Sequence, residues 1–127
     1  MGVQLSELVL ECRDPRRLAE FWCAVLGFVE LGSEDDGALE IGPATGFGGL
    51  QPTIILSPHR APGSSRGRLH IDVNPIGSAT RADEVARILG LGGRLADIGQ
   101  QGSEPWTVMA DPEGNVFCVL DTALPER

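Results

Sequence analysis

The sequence predicts an α+β chain made of two copies of one strand–helix–strand module. Three observations carry that reading. A half-buried strand pattern precedes an amphipathic helix near the start of the chain. The same succession begins again near residue 69. The two copies also align at a constant offset of 63 positions, which carries Leu26-Gly27 onto Leu89-Gly90, Leu8 onto Ile71, Leu10 onto Val73 and Glu7 onto His70.

The first copy opens with a strand over Leu5 to Cys12. Leu8, Leu10 and Cys12 fall on one face, and Glu7, Val9 and Glu11 on the other. Asp14-Pro15 marks a helix start, with Asp14 as the cap and Pro15 in the first helical position. Leu18, Phe21, Trp22, Val25 and Leu26 then recur at helical spacing, and Gly27 stops the helix. Phe28 to Leu31 is expected to be a strand, Ser33 to Gly37 a polar turn, and Ala38 to Ile41 its hairpin partner. Gly46 to Gly49 reads as loop, and Thr53 to Leu56 closes the module as a strand.

The stretch from Ser57 to Arg68 holds two prolines, two glycines and three arginines, so it reads as a connection. His59 lies within it. Leu69 to Val73 restarts the pattern as a strand. Thr80 to Leu89 is the second helix, with Ala82, Val85, Ala86 and Leu89 as its inner stripe and Gly90 as its stop. Arg94 to Ile98, Trp106 to Ala110 and Val116 to Leu120 are the remaining strands. Asp111-Pro112-Glu113-Gly114-Asn115 is a strong turn signal before the last of them.

The 127 residues suit one domain spanning 1–127, with module one at about 1–57, a linker at about 58–68 and module two at about 69–127. A formal net charge of -8 argues against nucleic acid, because phosphate binding needs clustered Lys and Arg. It also disfavours anionic membrane surfaces. The start of the chain lacks a basic segment followed by an apolar one, and no apolar run is long enough to span a membrane. A cytoplasmic protein is expected. Cys12, Cys23 and Cys118 form no CxxC pair and are expected to be reduced thiols.

The segment ELVLECRDPRRLAEFWCAVLGF, with Phe21-Trp22 and Leu26-Gly27-Phe28, resembles the opening motif of the glyoxalase / bleomycin-resistance / extradiol-dioxygenase superfamily, also called vicinal oxygen chelate. RLHIDV and WTVMADPEGNVFCVL match its second half, and the glyoxalase-like subgroup is the best match. The Asp-Pro-Glu-Gly-Asn turn is the most distinctive short element, and the matches span almost the whole chain. The resemblance implies two βαβββ modules forming a curved mixed sheet around a concave cavity. Leu8, Leu10, Ile71, Val73, Phe117 and Val119 would face the helices. Glu7, Val9, His70, Asp72, Val116 and Cys118 would face the cavity.

The resemblance also implies where chemistry would sit. Metal-using members place one ligand on the first strand and one on the last strand of each module. Those positions here are Glu7 and His70, then about Ile55 and Cys118. Ile55 offers no donor. A hard Mg2+ or Mn2+ site prefers oxygen to thiolate, and a Glu-His-Cys set would suit Zn2+ better. A divalent metal is therefore an option that the missing carboxylate disfavours, and the cofactor stays open.

His70 is the leading candidate, as a general base or ligand anchor that titrates near neutral pH. A strand histidine bonded to Asp72 or Glu7 is the equally weighted alternative. Glu7 is expected to share one cavity with His70. Cys118 reads as a small buried hydrophobe more than a nucleophile. Trp106 can stack on a flat ligand or serve as a rim aromatic. Val9 and Asp72 complete the expected ligand-contacting set.

Two functions of different class follow. The first is a small-molecule-binding or sequestering protein that needs a pocket and no metal. The second is a lyase, isomerase or dioxygenase-type enzyme that uses Glu7 and His70. A structural dimer is a third reading. The half-kept ligand pattern favours the first. A homodimer is expected, the commonest assembly for small soluble chains.

Overall fold

The structure, a computed structural model, describes residues 2, 4–58 and 71–126. By its internal contacts the chain divides into two compact units, Met1–Ser65 and Arg66–Arg127. Each is built from a helix laid on one face of a four-stranded mixed sheet.

In the first unit, the alternation of Leu8, Leu10 and Cys12 with charged neighbours produces β1 (Glu7–Cys12). The helix α1 (Pro15–Leu26) starts where expected: the Asp14 carboxylate accepts the Arg17 N–H at 3.2 Å, and Pro15 occupies the first turn. It stops at Gly27, whose φ of 70° is a left-handed conformation that favours glycine, and the Phe28 N–H also reaches the Cys23 carbonyl. The chain continues through β2 (Val29–Ser33), β3 (Leu39–Gly42) and β4 (Thr53–Pro58). The sheet order is β1-β4-β3-β2, with β1 parallel to β4 and the other pairs antiparallel.

Leu18, Phe21, Trp22 and Val25 are buried on α1, which packs on β3 and β4, where Ile41, Ile54 and Leu56 are buried too. The Phe21 and Trp22 rings meet edge to face, with centroids 5.2 Å apart and planes at 85°. The Arg16–Glu30 ion pair, at 2.6 Å, ties α1 to β2 but stands in solvent, so it adds little stability.

The second unit repeats this plan with β5 (Ile71–Val73), α2 (Arg81–Gly90), β6 (Arg94–Leu95), β7 (Trp106–Ala110) and β8 (Val116–Leu120), in the order β5-β8-β7-β6. The internal repeat is written into the strand register. Leu8 pairs with Ile54, Val9 with Ile55 and Leu10 with Leu56. Ile71 pairs with Phe117, Asp72 with Cys118 and Val73 with Val119, so every partner stands 63 positions after its counterpart.

Three details of the second unit differ from the sequence expectation. The inner face of α2 is formed by the buried Ile88 and the half-buried Val85, flanked by the half-buried Arg81 and Glu84. Ala82, Ala86 and Leu89 are exposed instead. Apolar residues occur on both sides of this helix, and tertiary packing chose the side with Ile88. Second, Gly90 continues the helix, which is capped at Leu91; the turn then closes with the Gly93 N–H on the Ile88 carbonyl. Third, β6 spans only two residues. Side chains intercept the backbone beyond it: Asp97 accepts the Gly99 N–H and Gln100 the Ile98 N–H.

The turn before β8 forms as expected. The Asp111 carboxylate, fully buried, accepts the N–H groups of Glu113 and Asn115, both at 2.9 Å, and the Asn115 side-chain amide at 2.8 Å.

Candidate functional site

Each sheet has one face under its helix and one face away from it, and Glu7, Val9, Asp72, Cys118 and Trp106, the expected site residues among those described, lie on the second. In β1, Leu10 and Cys12 are buried while Glu7, Val9 and Glu11 are exposed, with Val9 at 56%. Cross-strand pairing sets their neighbours: Glu7 stands beside Thr53, Val9 beside Ile55, and Ile55 beside Glu40. These five side chains therefore share one face of the first sheet.

Two of them escaped the sequence reading. Thr53 is fully buried, and its hydroxyl donates to Glu40 Oε2 at 2.8 Å. Gly42 is what makes room for this arrangement. A Cβ there would stand 2.7 Å from Thr53 Cγ2 and 2.8 Å from Leu31 Cδ1.

In the second unit, Asp72 and Cys118 are direct cross-strand partners, and Val108 lies beside Cys118. Asp72 is exposed and Cys118 is buried. Trp106, 40% exposed, begins β7 and shares the face of Val108 by strand alternation. Burial raises the pKa of the Cys118 thiol above its ordinary value, and the Asp72 charge raises it further. A raised thiol pKa makes the thiolate scarcer, which disfavours nucleophilic attack. His70 and His59 lie outside the described residues.

The structure thus groups Glu7 with Val9 in the first unit, and Asp72 and Cys118, with Trp106 on the same face, in the second. Of the positions that the resemblance marks for metal ligands, Ile55 offers no donor atom and Cys118 offers a buried sulfur in place of an oxygen. Among the described residues no group of three or more His, Cys, Asp or Glu side chains could hold a metal ion. This donor set does not fit a hard divalent cation.

The fold and its helix-free sheet faces define a class. A family model described as a glyoxalase-like domain matches residues 7–120. The chain belongs to this glyoxalase-like family. No curated protein matches the sequence. Among solved structures, a glyoxalase/bleomycin resistance protein/dioxygenase family enzyme from Burkholderia phytofirmans is similar at 19% identity and a TM-score of 0.68, covering 92% of this chain and 97% of that one. The fosfomycin resistance protein FosX from Listeria monocytogenes is similar at 19% identity and a TM-score of 0.69, covering 100% and 97%. A FosX variant from the same organism, complexed with Mn(II) and 1S,2S-dihydroxypropylphosphonic acid, gives 17% identity and a TM-score of 0.66, covering 94% and 90%. At such identities the likeness establishes the fold. Among the described residues no helix is long and apolar enough to cross a membrane.

Proposed function

We propose that this protein is a cytoplasmic homodimer that binds or sequesters a small organic molecule through the helix-free faces of its sheets. Glu7 and Val9 serve in the first unit, and His70, Asp72, Trp106 and Cys118 in the second. One observation carries the reading: β1 presents Glu7 and the exposed Val9 on the face that its helix does not cover. Glu7 and His70 supply the polar contacts, while the apolar residues supply contact area, the usual division in small-molecule sites. In this reading the protein acts without a bound divalent metal, because Ile55 brings no donor atom and Cys118 brings sulfur in place of the usual carboxylate oxygen.

Native mass spectrometry of the protein recovered from host extract tests this. A bound organic mass is expected, with no stoichiometric metal by elemental analysis. His70→Ala and Glu7→Gln should each weaken rebinding of that molecule by about tenfold or more, the loss expected for a hydrogen bond to a charged group. Unchanged affinity in both variants would remove these residues from the site. The dimer is checked separately. Light scattering after gel filtration should give twice the chain mass, and a monomer at micromolar concentration would contradict it.

A further inference from the structure

Resting on this reading of the first unit's helix-free face, we infer that Glu40 sets charge selectivity there, and that the group it receives is an organic cation, an ammonium on an apolar body. Glu40 stands in the middle of β3 between Leu39 and Ile41, both buried, so strand alternation sends it to the other face. On that face it lies beside Ile55, and Ile55 lies beside Val9. The row is therefore a carboxylate followed by two apolar side chains, the outer one largely exposed.

The carboxylate is held in place. The Thr53 hydroxyl donates to Oε2 at 2.8 Å, and Thr53 is fully buried, packed where Gly42 has no side chain. A half-buried carboxylate so anchored has lost part of its water and much of its freedom. Among the described residues it has no ion pair and no other hydrogen bond. The described residues of β1, β3 and β4 on this face include no Lys or Arg. An anionic ligand group would meet like charge here, and a cation would meet the partner that Glu40 lacks.

The fold does not require an acid at this position. Its counterpart in the second unit is Val108, which stands beside Cys118 as Glu40 stands beside Ile55. Val108 is buried and apolar, so the same place in the same sheet plan is satisfied without charge. The carboxylate and its anchor are particular to the first unit, as a selectivity element is.

A matched pair of probes tests this, hexylammonium and hexanoate, which differ at the head group alone. In a nitrogen-15 amide titration of the whole chain, hexylammonium should shift the resonances of Val9, Glu40, Thr53 and Ile55 saturably, and hexanoate should not. Glu40→Gln should weaken hexylammonium binding by about tenfold and abolish the discrimination. Thr53→Val, which keeps the shape and removes the hydroxyl, should weaken it by about threefold with the fold intact. Thr53→Ser should restore it. Hexanoate binding this face as well as hexylammonium does would overturn the charge inference and leave the face a ligand site. Shifts that avoid this face with both probes would overturn the inference together with the functional reading beneath it.

Discussion

Replacing Phe21 with alanine lowers the unfolding free energy by about 3–5 kcal/mol, enough to unfold a marginal domain of this size near physiological temperature. The side chain is 4% exposed, lies on the sheet-facing side of α1, and meets Trp22 edge to face at 5.2 Å. Alanine removes the transfer energy of the ring, the edge-to-face contact and the close packing around both, and leaves a cavity that the sheet beneath cannot fill by collapsing. Urea unfolding followed by tryptophan fluorescence measures the loss, since Trp22 reports directly on the vacated space. Full stability in the variant would show that the helix stripe is turned the wrong way. Phe21→Leu, which keeps most of the volume, should recover much of the loss.

The second large effect is expected at Asp111. Asp111→Ala should cost about 2–3 kcal/mol, because the N–H groups of Glu113 and Asn115 and the Asn115 amide lose their shared acceptor. The side chain is fully buried, so water cannot easily take its place. Asp111→Asn keeps one acceptor oxygen but puts an amide nitrogen where the second acceptor stood, and should recover only part of the loss. Hydrogen exchange distinguishes a local from a global effect: the amides of Glu113 and Asn115 should lose protection first. Equal loss of protection throughout β8 would mean that the turn also sets the register of β7 on β8.

Much of this structure was legible because its signals are local. The Asp14-Pro15 start and the Gly27 stop of α1 depend on a few neighbouring residues, and so does the Asp111 turn. The repeat was legible because a strand period of two cannot slip by one residue without exposing Leu8 and Leu10, so the offset of 63 had to survive in the register. The inner face of α2 was not legible. Ala82, Ala86 and Leu89 form as plausible a stripe as Val85 and Ile88, and only packing distinguishes them. The length of β6 was hidden for another reason: β-propensity runs on to Ile98, but the Asp97 and Gln100 side chains draw the backbone away.

Within the candidate site, the shared face of Glu7 and Val9 followed from alternation, and the face of Asp72 from the family resemblance. Glu40 did not. A single acid in a short apolar strand reads as a solvated face, and nothing near it in sequence signals an anchor. Its partner Thr53 is 13 positions away and reaches it only across the β3–β4 pairing. The burial of Cys118 matched the reading of a small hydrophobe, while the rise in its thiol pKa depends on the register that sets Asp72 beside it.

The parallel pairing of β1 with β4 has a consequence for the growing chain. Thr53 follows Glu7 by 46 positions, so β1 leaves the ribosome and must wait for a partner made much later. At about 5–20 residues per second, that wait lasts several seconds. Throughout it Leu8, Leu10 and Cys12 have no ladder to join, while α1 and the β2–β3 hairpin can form from nearby contacts. The exposed Glu7 and Glu11, on the opposite face of the strand from this apolar set, put charge on the unpaired strand, a feature that disfavours its joining a neighbouring chain before its own partner is made.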